Sequence, residues 1–417
     1  MLGVWLAPGA AGAWPLYQKD FQARLTLEQE YTDNLQLLTV TGDEDFVSSI
    51  NPGLSLSAVS EESGVKLDYD FGYSQYWRLD DSFTRHNGRG SVWQEWEHWR
   101  FDATGSYSRQ EYPIEVSPET GTILGLRDTV SPYYRTSATP GLAYEFGEER
   151  FIRAGYNYQA YWSNDQRFQD SELHAPNISA TYALDTFNIL QANYSYQQGN
   201  FSFGTFSNTS DFVAHRAGGS YTRRFNPRLD LTVAYNYGEL EFDTGTGYRT
   251  HQATVGTNYA VTEDTTVALS AGYYQIDLGG GQTHEGPVLN GSLSRAFPRG
   301  RVSLSGEYGF GEDYFSSENL GVFEYWTGRL SASYELTEYL TADASGGYRN
   351  NDYQLEARTD EYWNAGAGLS WLARPWLTAR AAYRHTNFTS ETGAGFTGRA
   401  WDFDVNTYSL SLTATYD

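Results

Sequence analysis

Apolar residues recur at every second position along most of this chain, in phrases that close on tyrosine. Leu229, Leu231, Val233, Tyr235 and Tyr237 form one phrase, with Asp230, Thr232, Ala234 and Asn236 interleaved. It returns as Val267, Leu269, Ala271, Tyr273, as Val302, Leu304, Gly306, Tyr308, as Leu340, Ala342, Ala344, Gly346, Tyr348, and as Leu377, Ala379, Ala381, Tyr383. A period of two belongs to a strand, because successive side chains leave opposite faces of the pleat. Here one face is apolar and ends in an aromatic, while the other carries Ser, Thr, Asn, Asp and Arg. That combination predicts a strand that crosses a membrane within a closed barrel, apolar toward lipid, polar toward a lumen, aromatic at the interface.

Short turns punctuate the pattern at 60–64, 94–98, 146–150, 184–187, 225–228, 262–264, 297–300, 336–338 and 372–375. Each interval between them holds one strand, a longer loop and a returning strand. Nine short turns imply ten hairpins and about 20 strands with both termini on one side, the rule for bacterial outer-membrane barrels, whose short turns are periplasmic. The returning strands carry Tyr144, Phe146, Tyr182, Tyr221, Tyr259, Tyr334, Trp371 and Tyr416 just before a turn or the C-terminus, which supplies a second aromatic belt. A soluble propeller has repeats of this length, but it buries both faces of its blades and would not keep every alternate position polar.

Composition sharpens this reading. The chain has 417 residues, 40% of them hydrophobic and 16% aromatic, with 34 Tyr and 42 Gly, and a mean hydropathy of -0.57. A soluble chain of this length would be expected to form two or more domains, each with a Leu, Ile and Val core; such clusters are few, and no linker divides the sequence. No run approaches the roughly 20 apolar residues of a spanning helix, so closed β-structure is the way left to satisfy the backbone in lipid. The expected fold is all-β: a transmembrane antiparallel up-and-down β-barrel of about 20 strands, with short periplasmic turns and long extracellular loops, in the bacterial outer membrane. Residues 1–13, with an apolar stretch from Leu2 to Ala7 and the small residues Ala11, Gly12 and Ala13, read as the remnant of an export signal. Residues 14–417 read as one barrel domain. There is no Cys, so neither a disulfide nor a thiolate metal site is available.

Near the front, Glu30, Tyr31, Thr32, Asp33, Asn34, then Asp45, then Pro52, Gly53, Leu54, then Leu67 and Tyr69 resemble the opening of the outer-membrane β-barrel porin type 2 families. The match covers about the first 75 residues. It implies an outer-membrane barrel of a kind frequently associated with exopolysaccharide production or export. The final strand, Tyr408 to Asp417, resembles the C-terminal strand that outer-membrane assembly machinery reads, except for the Asp after its last aromatic.

The polar phase of each strand names the lumen. Early strands contribute Glu28, Asp68, Asp70 and Asp102, late strands Arg329, Arg349, Arg380 and Arg384, and Tyr161, Tyr274 and Tyr362 share that phase. Amides and hydroxyls between them can hydrogen-bond sugars, the tyrosines can stack on sugar rings, and the arginines favour anions. The bland reading is that these groups pair across strands and support the wall. The loop from Pro113 to Ser131 holds Ile114, Val116, Ile123, Leu124 and Leu126, apolar anchors that predict an inward fold narrowing the pore.

A net charge of -24 excludes nucleic acid as a partner, since phosphate binding needs clustered Lys and Arg. Many acids fall where long loops are expected: Asp43, Glu44, Asp45, Glu312, Asp313, Glu318, Asp360 and Glu361. The seven His show no metal-ligand spacing and no G-x-S-x-G elbow appears, so no catalytic residue, metal or cofactor is expected. The expected function is a channel for saccharide or exopolysaccharide. The alternative is a scaffold sheathing a partner such as a multihaem cytochrome, with an outer-membrane enzyme behind both. Expected partners are outer-membrane lipid and lipopolysaccharide, the assembly machinery, and either polysaccharide export components or a lumenal plug protein.

Overall fold

A computed structural model describes residues 18–37, 42–112, 114–116, 123–126, 130–165, 170–202, 211–244, 247–279, 281–313, 321–354, 357–394 and 400–416. The export-signal remnant expected at 1–13 lies outside them. The strands are β1 (Gln18–Thr32), β2 (Asp45–Val59), β3 (Ser63–Tyr76), β4 (Asp81–Glu95), β5 (Trp99–Gln110), a small hairpin of β6 (Ile114–Val116) and β7 (Ile123–Leu126), β8 (Tyr133–Gly147), β9 (Arg150–Ser163), β10 (Ser171–Ala183), β11 (Asn188–Phe201), β12 (Phe212–Asn226), β13 (Leu229–Phe242) and β14 (Tyr248–Thr262). The rest are β15 (Thr265–Leu278), β16 (Gln282–Phe297), β17 (Gly300–Asp313), β18 (Gly321–Thr337), β19 (Leu340–Tyr353), β20 (Arg358–Arg374), β21 (Leu377–Thr392) and β22 (Asp402–Tyr416).

Apart from β6 and β7, which pair only with each other, the strands form one antiparallel 20-stranded sheet. Neighbours in sequence pair, β5 pairs β8, and Ala23–Thr32 of β1 pair with 407–416 of β22, so the sheet closes on itself. Twenty strands spaced about 4.8 Å and tilted about 40° enclose a ring roughly 40 Å across, backbone to backbone. All nine predicted short turns are present on the rim that carries the two ends of the ring, here the near rim.

The outer face is the apolar phase of every strand. Leu25 and Leu27, Leu54 and Leu56, Val233 and Tyr235, Leu410 and Leu412 are all 43% or more exposed, a pattern that only lipid makes tolerable. The near belt is Tyr144, Phe146, Tyr182, Tyr221, Tyr259, Tyr334, Trp371 and Tyr416, all exposed. Toward the far rim the belt has a repeated unit that single-strand patterning does not show. Tyr69 bonds His86 Nδ1 at 2.7 Å, Tyr156 His174 at 2.5 Å, Tyr194 His215 at 2.8 Å and Tyr235 His251 at 2.7 Å, each across one hairpin. Histidines that look scattered in sequence thus occupy equivalent positions, each giving a belt tyrosine the partner that hydrocarbon lacks.

The twenty barrel strands run 12 to 17 residues, more than the roughly 10 that cross the apolar band, and the excess stands beyond the far belt. This corrects two expectations. Asp45, Glu312, Asp313, Asp360 and Glu361 are strand residues, not loop residues, while Glu318 lies outside the described residues. Three far-rim connections, between Tyr76 and Asp81, Leu278 and Gln282, and Tyr353 and Arg358, are short. Strands that already overshoot the membrane can close in tight turns, as Asp80 does with a left-handed φ of 54°.

Candidate functional site

All eleven predicted site residues lie on the strand phase opposite the exposed apolar series, and so face the lumen. Their surroundings differ sharply between the two halves of the barrel. Toward the near rim, three arginines each reach across an intervening strand to an aspartate. Arg24 on β1 grips Asp70 on β3 with Nε and Nη2 at 2.8 and 2.6 Å. Arg153 on β9 pairs with Asp102 on β5, its Nη2 at 2.7 Å. Arg380 on β21 holds Asp343 on β19 at 2.6 and 2.9 Å.

The strand between the partners carries glycine in each case: Gly53, Gly141 and Gly368. A Cβ there would stand 2.6 Å from Arg24 Nε, 2.5 Å from Arg153 Cζ and 2.9 Å from Asp343 Oδ1 respectively. Glycine is therefore what lets the forks lie flat on the wall. Asp70, Asp102 and Arg380 are thereby committed to bidentate pairs, which are short and directional. Strand phase puts these residues on the lumen face, but their pairing depends on strand neighbours, which phase does not encode.

Toward the far rim the inner face is packed. Tyr161, Tyr274 and Tyr362 are 2%, 0% and 8% exposed, so none presents the free ring expected for stacking on sugars. Tyr161 lies beneath the Arg135 guanidinium. Tyr362 accepts from Asn364 Nδ2 at 2.8 Å and packs with Leu37, Phe388, Trp401, Phe403 and Val405. Ile114, from the small hairpin, packs on this same cluster, although β1 to β4 separate its root on β5 from β22 in the ring. Ile114 therefore stands inward of the wall, over the mouth. Glu111, just after β5, is tied to Arg85 at 2.9 Å, and burial pushes its carboxyl above the ordinary value. The side chains of Val116, Ile123, Leu124 and Leu126 lie outside the described residues.

A second inward element has no counterpart in the strand patterning. The ladder between β16 and β17 runs from Phe297 and Gly300 to Leu289 and Tyr308 and stops there, although both strands continue to Gln282 and Asp313. Beyond that point the β17–β18 hairpin leans into the lumen. Phe310 and Val322 share the phase of the lipid-facing Leu304 and Leu330, yet both pack with Phe212, Leu240, Tyr248, Tyr274 and Ile276 from the inner face of β12 to β15. Glu312 pairs with Arg216 of β12, and the Tyr274 hydroxyl donates to Glu324. The arm so formed, residues 309–313 and 321–325, narrows the far half from the side opposite Ile114.

Between the tied arginines below and the packed mouth above stand charged groups without a carboxylate partner. The side chains of Arg329 and Arg384 make no hydrogen bond or ion pair among the described residues, and that of Glu28 makes none either. Asp68 accepts from Ser55 at 2.5 Å. Arg349 is braced by Asn351 at 2.8 Å and lies over the Tyr325 ring at 4.4 Å. A cavity of about 410 Å³ opens at the root of the arm, bordered by Arg329 and Arg349. No group of three or more potential metal ligands occurs among the described residues.

A model of the family described as putative beta-barrel porin 2 matches residues 318–415, at the opposite end of the chain from the residues that carry the resemblance in the sequence. That stretch of the chain is similar to the family, and the chain as a whole folds as an outer-membrane-type β-barrel of 20 strands. Its fold is similar to that of the siderophore receptor PirA of Pseudomonas aeruginosa, at 10% identity and a TM-score of 0.54, over 95% of this chain and 80% of that one. A mutant of the ferric enterobactin receptor PfeA from the same organism, solved with enterobactin, matches at 8% identity and 0.55, over 95% and 81%. PirA of Acinetobacter baumannii matches at 8% and 0.52, over 94% and 80%. At these identities the likeness is one of fold alone. No curated protein matches the chain.

Proposed function

We propose that the barrel is a passive aqueous conduit for hydrophilic solutes, saccharide or exopolysaccharide chains foremost, with the near rim in the periplasm and the far rim outside the cell. The observation that carries this reading is the width of the ring. Barrels of 16 to 18 strands already leave a water-filled channel, and 20 strands enclose more than wall side chains can fill. The lumen phase is rich in hydroxyls and amides, and three of its near-half arginines are neutralised by aspartates, which suits a polar solute. The arm and the inward Ile114 support a sieving conduit over a sheath for a partner protein, because both occupy the far half that a sheath would keep clear.

Conductance of the purified barrel in a planar bilayer, with swelling of proteoliposomes in saccharides of graded size, tests the proposal. Steady conductance and a size cut-off are expected. A barrel that neither conducts nor admits a monosaccharide would overturn it.

A further inference from the structure

We propose that the cavity at the root of the arm is a binding subsite for a carboxylate-bearing sugar ring. This rests on the conduit reading and adds a ligand class and a place. The arginines of this one lumen fall into two kinds. Arg24, Arg153 and Arg380 each have a bidentate aspartate. Among the described residues the Arg329 side chain has no hydrogen-bond or ion-pair partner and Arg349 has only an amide, yet both face the same cavity of about 410 Å³, a volume in the range of small-molecule sites.

The two carboxylates bordering that cavity are already engaged. Glu307 accepts from the Tyr325 hydroxyl and Glu312 pairs with Arg216 of β12. The cavity thus holds two guanidiniums that lack a carboxylate and no carboxylate that lacks a donor. An unsatisfied guanidinium in a narrow protein-lined space is costly, and such charges in a pore wall usually mark what the permeating solute feels. Arg349 is also pre-oriented. Its Nε is held by Asn351, and its plane lies over Tyr325 at 4.4 Å and Phe323 at 5.6 Å, leaving its terminal nitrogens as the free edge of a fork that fits a planar carboxylate. Ser305, Thr327 and Asn290 supply hydroxyl and amide partners for ring hydroxyls. Phe310 from the arm supplies an apolar wall for the C–H face of a pyranose. A simple inorganic anion would use the arginines and nothing else.

The test uses the whole barrel in planar bilayers, with trigalacturonate, maltotriose and acetate as probes on the far-rim side, and calorimetry of the same probes with the detergent-solubilised barrel. Trigalacturonate should interrupt the current and bind, while maltotriose and acetate should do neither at equal concentration. Arg329→Gln and Arg349→Gln should each shorten the blocked state at least about tenfold. Arg301→Gln, on the same lumen face near the other rim, should leave it unchanged. Resistance of the folded band to detergent without heating shows that each variant still closes its barrel.

Block that survives both cavity variants, or that falls equally in Arg301→Gln, overturns the subsite, as does equal block by maltotriose or acetate. A barrel that conducts but ignores trigalacturonate refutes the subsite and leaves the conduit standing. One that binds trigalacturonate at Arg329 and Arg349 without conducting refutes the conduit alone.

Discussion

Alanine at Gly53 should destabilise the barrel, whereas alanine at Gly105 should stabilise it, although both glycines sit inside strands and neither has a left-handed φ. A glycine inside a strand is ordinarily a weakness of about 0.5–1 kcal/mol relative to alanine. At Gly105, on the lipid face, an added Cβ meets only the Ser137 carbonyl at 3.5 Å, so that gain should appear. At Gly53 the Cβ would stand 2.6 Å from Arg24 Nε, and the fork on Asp70 must lift off. The pair is partly exposed, 26% and 37% for its side chains, which places the loss well below that of a buried pair, at about 1–2 kcal/mol. The two substitutions should therefore differ by roughly 1–3 kcal/mol and in sign. Urea unfolding of the barrel in lipid vesicles, followed by tryptophan fluorescence, measures this. In an Asp70→Asn background most of the Gly53→Ala penalty should vanish. If Gly53→Ala instead tracks Gly105→Ala, the bridging of arginine over glycine is not what stabilises the near half.

Cysteines placed one at a time along 229–236 should react alternately with a membrane-impermeant thiol reagent, 230, 232, 234 and 236 reacting and 229, 231, 233 and 235 protected; uniform labelling refutes the phase assignment. Deleting 116–129 should raise single-channel conductance, because Ile114 at the root of this segment reaches in over the mouth, and unchanged conductance would show that the segment does not limit flow. Bridging Glu312→Cys and Arg216→Cys with a short bifunctional thiol reagent, which spans a gap too wide for a disulfide, should hold the arm against β12 and damp conductance fluctuations relative to the unbridged variant; identical noise in both states would mean the arm does not move. Burial raises the Glu111 carboxyl, so the folded state binds its proton more readily than the unfolded one. Its contribution is complete below the ordinary carboxylate range and is lost as pH rises through the raised value. Glu111→Gln should accordingly lessen any rise in protease susceptibility of the β5–β8 connection between pH 4 and pH 8, and an unaltered pH profile would refute the assignment.

The sequence makes the wall legible and hides most of the lumen, for a physical reason. Period-two alternation and terminal aromatics are properties of a single strand, so the strand number, the nine turns and the outward phase of Leu229 to Tyr237 follow from reading one segment at a time. Ion pairs such as Arg24 with Asp70 depend on two strands and the gap between them, and only Gly53, a small residue on the polar phase, hints at the bridge. The arm is hidden more deeply. Phe310 and Val322 are apolar on the apolar phase, so the sequence reads them as lipid-facing, and only the broken ladder beyond Leu289 and Tyr308 turns them inward. The tyrosines illustrate the converse. Their inward phase was readable, but burial against neighbouring rings is a tertiary fact that no spacing encodes.

The seam between β1 and β22 joins residues 23–32 to 407–416, almost the full length of the chain apart. Every other rung of the cylinder can form by a hairpin or a nearby return, but this one must wait until both lateral edges exist and meet. Closure is thus the step with the largest entropy of search. Until it occurs, the sheet carries two raw margins of amides and carbonyls that hydrocarbon will not solvate. Removing either marginal strand should leave no smaller barrel behind, only an open sheet, whereas insertions at the far-rim connections leave the circuit of hydrogen bonds whole.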